Sequence, residues 1–289
     1  MIGLLEEGIM SSHLPPRAQR FRERSPLHKV VTRHNGLLFY GIALASLIEC
    51  GAPLHVEGLK GVFAGDPELR RWLEQEWWPM KAGHGQQLRA YVESLWREFD
   101  WASAYEGFNQ AYHPRVTAAY VGRSPSEVAL LLCAATAQAA AFYGSLASYA
   151  DDPELRALLG KMDADEGRYF DYFRTLFERC ERTHPLRVLQ AYRTVIGGAT
   201  RARDGAARLA FSQLAAQWYE NPPFPAMEYR DFLRRMGELC CRFITPGPTE
   251  RLLFRPWLKP PVSAGADAAQ PKRNGAAGGW PRAPLPAAA

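Results

Sequence analysis

The chain has 289 residues, of which 47% are hydrophobic and 22% are charged, a composition typical of a globular protein with a sizeable core. No stretch approaches the ~20 uninterrupted apolar residues of a membrane-spanning helix, and the amino terminus lacks the apolar region and cleavage site of a signal peptide. The five cysteines show no Cys-x-x-Cys spacing, and their odd number suits a reducing compartment. We therefore expect one main domain, in the cytoplasm.

The net charge of +5 is concentrated near the amino terminus. Residues 13–34 carry six cations against the single acid Glu23; the cations are Arg17, Arg20, Arg22, Arg24, Lys29 and Arg33. Such an arm attracts an acidic partner through long-range electrostatics. It lacks the interleaved aromatic residues of a single-strand binder, and the chain has no helix-turn-helix or zinc-finger signature, which argues against nucleic acid. The alternative is a solvated basic leader without a dedicated partner.

In chain order, the sequence predicts a basic extension over residues 1–33, a helical domain over residues 34–258 and a disordered tail over residues 259–289. Pro15, Pro16 and Pro26 break regular structure in the extension. The tail is rich in Ala, Gly and Pro and cannot bury enough apolar surface to offset the entropy lost on ordering.

The pattern between these ends is helical almost throughout, and no segment alternates with the period of two that a strand requires. The strongest helix starts are Asp66-Pro67, Ser124-Pro125 and Asp152-Pro153, because each joins a capping side chain to a proline in the first turn. The predicted helices run approximately over residues 35–63, with a kink near residues 51–53, and over residues 66–99, 124–149, 152–182, 186–203, 206–219 and 226–243.

Four segments carry a resemblance to a known family. Leu47–Pro53 is similar to a Glu-Glu-x-x-Pro segment, and Trp77–Tyr91 is similar to a Trp followed by Glu-Glu-x-x-His-Gly and then Leu and Tyr. Gln138–Tyr143 and Met162–Phe170 resemble the two ligand helices of a second half. Together they resemble the ferritin-like diiron superfamily, closest to acyl-carrier-protein desaturase-like proteins, over about residues 35–182.

The resemblance implies an all-α fold, a ferritin-like four-helix bundle with additional carboxy-terminal helices. Each half of such a bundle presents one Glu and one Glu-x-x-His motif to a shared interior. The six corresponding positions are Glu49, Lys81, His84, Gln138, Glu166 and Tyr169. We therefore expect these six side chains to point into one pocket.

The family pattern is incomplete in this chain. Glu49, His84 and Glu166 are retained as candidate ligands for one iron or manganese ion, and two carboxylates with one imidazole suit such a cation. The resemblance also assigns Asp165 as the acceptor that orients His84, and places Gln138 beside the cofactor.

Lys81 replaces the second bridging Glu, and its ammonium would supply positive charge where the family holds a metal. A buried ammonium should pair with carboxylates or reach solvent; if desolvation depressed its pKa, it could act as a base or nucleophile. Tyr169 replaces the second His and is a candidate proton donor or radical site. For each residue the alternative is ordinary core packing or a charged helix face.

Two functional hypotheses follow from the resemblance. The first is an oxidoreductase of the desaturase or oxygenase type, acting on an acyl or aromatic substrate that an acidic acyl carrier protein could deliver to the basic arm. The second is a metal-free, non-catalytic scaffold that binds an acyl chain, a carrier protein or a partner subunit. The resemblance also implies a homodimer.

Overall fold

The computed structural model describes residues 27–243, apart from the side chains of residues 117, 201–204 and 243. The described α-helices are α1 (Leu27–Arg33), α2 (Gly36–Cys50), α3 (Pro53–Val62), α4 (Pro67–Trp72), α5 (Trp78–Leu95), α6 (Trp101–Ala119), α7 (Pro125–Tyr149), α8 (Pro153–Thr183), α9 (Val188–Arg201), α10 (Arg208–Ala216) and α11 (Tyr229–Phe243). Two π-helical segments, Leu73–Trp77 and Ala202–Ala207, join α4 to α5 and α9 to α10. Within residues 27–243 there is no strand, only an isolated bridge between Phe99 and Trp218, so the prediction of an all-α fold is confirmed.

The three proline-led starts are confirmed. Asp66, Ser124 and Asp152 each accept a hydrogen bond from a backbone N–H in the first turn of the helix that follows, and Pro67, Pro125 and Pro153 are the first helical residues. The Ser124 cap is completed by Glu127, whose side chain accepts from the Ser124 N–H. These caps fix where α4, α7 and α8 begin.

Helix α2 is buried on nearly all sides, as expected of a helix that is apolar all round. It lies against α5, while α7 and α8 form a long antiparallel pair. The predicted kink after α2 is a full break, because the chain bends by 49° between α2 and α3. Glu49 is the only charged residue of α2 and lies at its carboxyl end, next to this break.

The predicted boundary of the basic extension is wrong, because residues 27–33 form α1 and are tied to the helical domain. Lys29 pairs with the buried Asp152 at 2.8 Å, and Arg33 pairs with Glu98 at 2.7 Å. Two of the six cations of the predicted arm therefore serve the fold. Its other cations, the tail and residues 244–258 lie outside the described residues.

Helix α6 is a second difference, because the sequence predicted no helix between residues 99 and 124. Asp100 caps it and Pro114 lies inside it. A proline inside a helix normally breaks the hydrogen-bond ladder, and this signal concealed α6.

Helix α7 is long enough and apolar enough to cross a membrane, but 61% of its most apolar stretch is buried within the fold. Core helices pass the same test. Thr136 and Gln138 interrupt the apolar sequence of α7, so this helix contains no uninterrupted apolar run of the kind that the sequence analysis considered.

Candidate metal and ion-pair centre

Side chains from four helices meet in one buried cluster. Glu49 comes from α2, Lys81 from α5, Tyr143 from α7 and Glu166 from α8. The Lys81 ammonium Nζ donates to Glu49 Oε1 at 2.7 Å and to Glu166 Oε1 at 2.5 Å. One ammonium therefore joins two carboxylates that would otherwise repel each other.

Local structure places Lys81 at this point. The π-helical segment Leu73–Trp77 precedes α5 without a break, and such segments are frequent at functional sites. Trp77, one turn before Lys81, is buried, as is His84, one turn after it. The spacing of three and four residues puts all three side chains on the same face of the helix.

Burial opposes the charge of Lys81, but the Coulomb attraction of Glu166 and Glu49 and the two hydrogen bonds outweigh it, so the pKa of Lys81 is raised. Burial likewise raises the pKa of Glu166 to about 7, although Lys81 acts against this shift. The ammonium therefore stays charged at neutral pH, and Glu166 can take up a proton near that pH. The idea that Lys81 acts as a depressed-pKa base or nucleophile does not fit this environment.

His84 is held in one orientation by Asp165. His84 Nε2 lies 2.8 Å from Asp165 Oδ2, and the other oxygen of Asp165 accepts from Arg168. Burial lowers the pKa of His84 more than this hydrogen bond raises it, so the imidazole is neutral near pH 7. Since a carboxylate can only accept, Nε2 carries the proton and Nδ1 presents a lone pair.

Glu49, His84 and Glu166 could hold a cation. One candidate ligand atom from each lies within 4.8 Å of the other two. Glu49 Oε2 and His84 Nδ1 are both buried and have no hydrogen-bond partner within the described part of the chain. A buried polar atom without a partner costs free energy, so two such atoms in one cluster suit the binding of a cation.

Tyr143 belongs to this cluster, although the sequence interpretation gave it no role. Its hydroxyl donates to Glu49 Oε1 at 2.6 Å, the same oxygen that binds Lys81. Burial and the two neighbouring carboxylates, Glu49 and Glu166, raise its pKa well above the usual value, so it remains a donor. The remaining oxygen of Glu49 is thereby left for another ligand.

The placement of Gln138 in the pocket is wrong, because its side chain is exposed. The buried face of α7 follows Thr136, Ala140 and Tyr143 instead. Around Gln138 most residues are alanines, so neither face is marked by large apolar side chains and the register could not be fixed from the sequence. The spacing of seven residues between Thr136 and Tyr143 was the available signal.

Tyr169 is buried as predicted, but it is not part of the ion-pair cluster. Its ring meets Trp72 edge-on with centroids 6.2 Å apart. Its hydroxyl and the indole N–H of Trp77 have no partner among residues 27–243, and burial raises the pKa of Tyr169. Tyr169 follows Glu166 by three residues on α8, so its role as a proton donor stays a prediction.

A second polar group adjoins the cluster. His55 on α3 contacts the hydroxyls of Tyr120 at 2.7 Å and Tyr112 at 3.0 Å, one through each ring nitrogen. Burial, together with the charge of Lys81, lowers the pKa of His55 to about 4.

A cavity of about 550 Å³ lies near the other end of α2, lined by the apolar side chains of Leu37, Phe224 and Leu239 and by Arg235 and Arg242 among others. It is separated from Glu49 by roughly the length of α2, about 20 Å at 1.5 Å per residue. This cavity is therefore not the pocket in which the six family positions were expected to meet.

Comparison of the chain with models of known protein families, with curated proteins and with solved structures finds no match.

Proposed function

We propose that this chain is a ferritin-like helical protein of the diiron oxygenase and desaturase type that has kept one metal position and has replaced the other by Lys81. Glu49, His84 and Glu166 would hold a single divalent cation, with Asp165 orienting the imidazole. Bound iron or manganese would supply one-electron chemistry toward dioxygen and an acyl or aromatic substrate.

The observation that carries this proposal is a pair of buried atoms that have no hydrogen-bond partner among residues 27–243, Glu49 Oε2 and His84 Nδ1. Asp165 is the only hydrogen-bond partner of His84 in the described residues, and it fixes the proton on Nε2. The lone pair on Nδ1 therefore points away from Asp165. A hard or borderline cation accepts donors of this kind, and Lys81 and Tyr143 already occupy the other oxygen of Glu49.

A specific observation also favours a second function, a metal-free scaffold. Lys81 places one positive charge between two carboxylates, so the cluster of Lys81, Glu49 and Glu166 has a net charge of −1 that a proton on Glu166 would remove. A divalent cation would change the cluster to +1, so charge balance alone does not require a metal. In this second function the bundle binds an acyl chain, a carrier protein or a partner subunit without catalysis.

Metal quantification on freshly purified and on reconstituted protein separates the two functions. The first predicts about one iron or manganese ion per chain, lost in His84→Ala and retained in His34→Ala, which changes an exposed histidine. Absence of metal from the wild type after reconstitution, together with unchanged thermal stability in strong chelator, would rule out the first function and support the scaffold.

A further inference from the structure

Helix α9 contacts the rest of the protein mainly through small residues, together with the half-buried Val195. Ala191 and Thr194 are buried on its inner face, toward α7. Gly198 lies on this face too, since a Cβ atom added there would meet Leu131 Cδ2 at 2.5 Å. The small residues let α9 lie close against α7, and they use little of its apolar surface.

Most of the large apolar residues of α9 face outward, and Val195 is the exception because it packs half-buried against the core. Val188 is 81% exposed, Leu189 59%, Tyr192 63% and Ile196 49%. Val188, Tyr192 and Ile196 are spaced by four residues and form one continuous stripe along the helix. This arrangement is the reverse of an ordinary surface helix, whose large apolar residues face the core. Contiguous exposed apolar surface of this kind marks an interaction site.

The segment that carries the stripe is strongly basic. Residues 185–203 contain four arginines and no Asp or Glu; the arginines are Arg187, Arg193, Arg201 and Arg203. Arg187 and Arg193 are exposed, close to the stripe. A second copy of the chain seated on this stripe would bring two such basic segments together, which like-charge repulsion disfavours.

We propose that α9 binds the surface of an anionic membrane, lying flat with its stripe in the boundary between headgroups and acyl chains. Apolar residues on one side of a helix with arginines beside them are the features of interfacial helices. Tyr192 suits this depth because its ring is apolar and its hydroxyl is polar. The arginines would bind lipid phosphates. This inference is independent of the metal site.

The test is co-sedimentation of the full chain with vesicles of phosphatidylcholine alone or mixed with phosphatidylglycerol. We expect binding to the mixed vesicles only, weakened at least roughly tenfold by the double change Tyr192→Ser and Ile196→Ser, which removes two exposed apolar contacts. Each of Arg187→Gln and Arg193→Gln should weaken binding roughly fivefold.

The matched control is the double change Leu27→Ser and Val31→Ser, which removes two exposed apolar residues from α1 and should leave vesicle binding unchanged. Three results would overturn the proposal. The first is no binding of the wild type to the mixed vesicles. The second is equal binding by the Tyr192 and Ile196 variant, which would assign attachment to the basic arm. The third is a wild type that binds no vesicles and forms a dimer, which this variant converts to a monomer. Binding of an acidic protein but not of vesicles counts as the first of these. Metal content, measured on the same samples, reports separately on the proposed function.

Discussion

Replacing Lys81 by Met removes the positive charge of the cluster while keeping a side chain of similar length. Glu49 and Glu166 are almost fully buried, and their Lys-bound oxygens are no more than about 5 Å apart, since both contact the same Nζ. Two unit charges at that distance repel by about 3 kcal/mol at an effective dielectric constant of ~20. Loss of one partner from a buried ion pair costs about 3–5 kcal/mol. We therefore expect the free energy of unfolding to fall by about 3 kcal/mol near pH 8 in chelator.

The loss should shrink as the pH falls, because a proton can then replace the missing ammonium. Burial raises the pKa of Glu166 in the folded protein above its ordinary value of 4.5, and removing Lys81 takes away the interaction that opposes this rise. The folded protein then binds a proton that the unfolded chain releases, so the stability of the variant decreases as the pH rises from 4.5 through the folded pKa.

The assay is chemical unfolding of both proteins in chelator and in excess manganese. At a metal concentration of about 100 times the dissociation constant, a cation that binds only the folded state adds about 2.7 kcal/mol. We expect this gain to be larger in Lys81→Met, because the cation then replaces the ammonium. The control is Lys60→Met, since Lys60 also pairs with two carboxylates, Glu57 at 3.0 Å and Glu74 at 2.7 Å, but at the surface. It should change stability little and leave the response to manganese as in the wild type. A Lys81→Met protein as stable as the wild type in chelator near pH 8, with no gain from manganese, would refute the reasoning.

Three further changes test the surroundings of the cluster. Gly85→Ala should destabilise the fold by about 1–3 kcal/mol and weaken metal binding, because its Cβ would lie 2.7 Å from the backbone nitrogen of Cys50. The control is Gly83→Ala on the same helix, whose Cβ would meet no described atom beyond its own helix backbone and chain neighbours closer than Gln87 Nε2 at 4.0 Å. It should be neutral or stabilising in the same unfolding assay. Tyr143→Phe should lower manganese affinity about 10–100-fold with a stability loss of about 1–3 kcal/mol, measured by titration and unfolding, and unchanged affinity would remove its role in positioning the carboxylate. His55→Gln should flatten the dependence of stability on pH between pH 4.5 and 6.5. In the wild type the pKa of His55 is about 4 in the folded protein and 6.5 in the unfolded chain, so the unfolded chain takes up the proton first as the pH falls. Up to about 3 kcal/mol of the free energy of unfolding is therefore lost through that range. An acid-side difference between wild type and variant of under about 1 kcal/mol would contradict this assignment.

The helix starts could be predicted from the sequence because their signals are local. Asp152 illustrates this: its cap of α8 follows from the residues beside it, and Pro153 adds a second local constraint. Its contacts with Lys29 and with the Tyr91 hydroxyl at 2.5 Å involve residues more than 60 positions away, and no pattern in the sequence indicates them. Hence the start of α8 was correct while the docking of α1 was missed.

The site residues divide in the same way. Glu49, Lys81 and His84 were proposed from the family resemblance alone. The structure adds that Glu49 is the only charged residue of an apolar helix and that Lys81 and His84 share a helix face. The prediction for Gln138 was wrong because the alanine-rich stretch of α7 has no face marked by large apolar side chains. The resemblance then gave a helix register in which Gln138, which is exposed, faced the interior. Tyr143 could be recognised only once the distance to the Glu49 carboxylate was known.

The position of Glu49 explains why the cluster needs a cation that is always present. A carboxylate at the carboxyl end of a helix meets the negative end of the helix dipole, and burial adds a desolvation cost. A metal that dissociates would leave both carboxylates unpaired each time, whereas the ammonium of Lys81 is covalently part of the chain and keeps the fold intact without metal. It binds only one oxygen of Glu49, so under the proposed function the second oxygen and the imidazole of His84 would hold a cation whose loss the fold would survive. Reversible metal binding without unfolding is thus the behaviour that Lys81 makes possible, and a chain that unfolds when its metal is removed would contradict this division of roles.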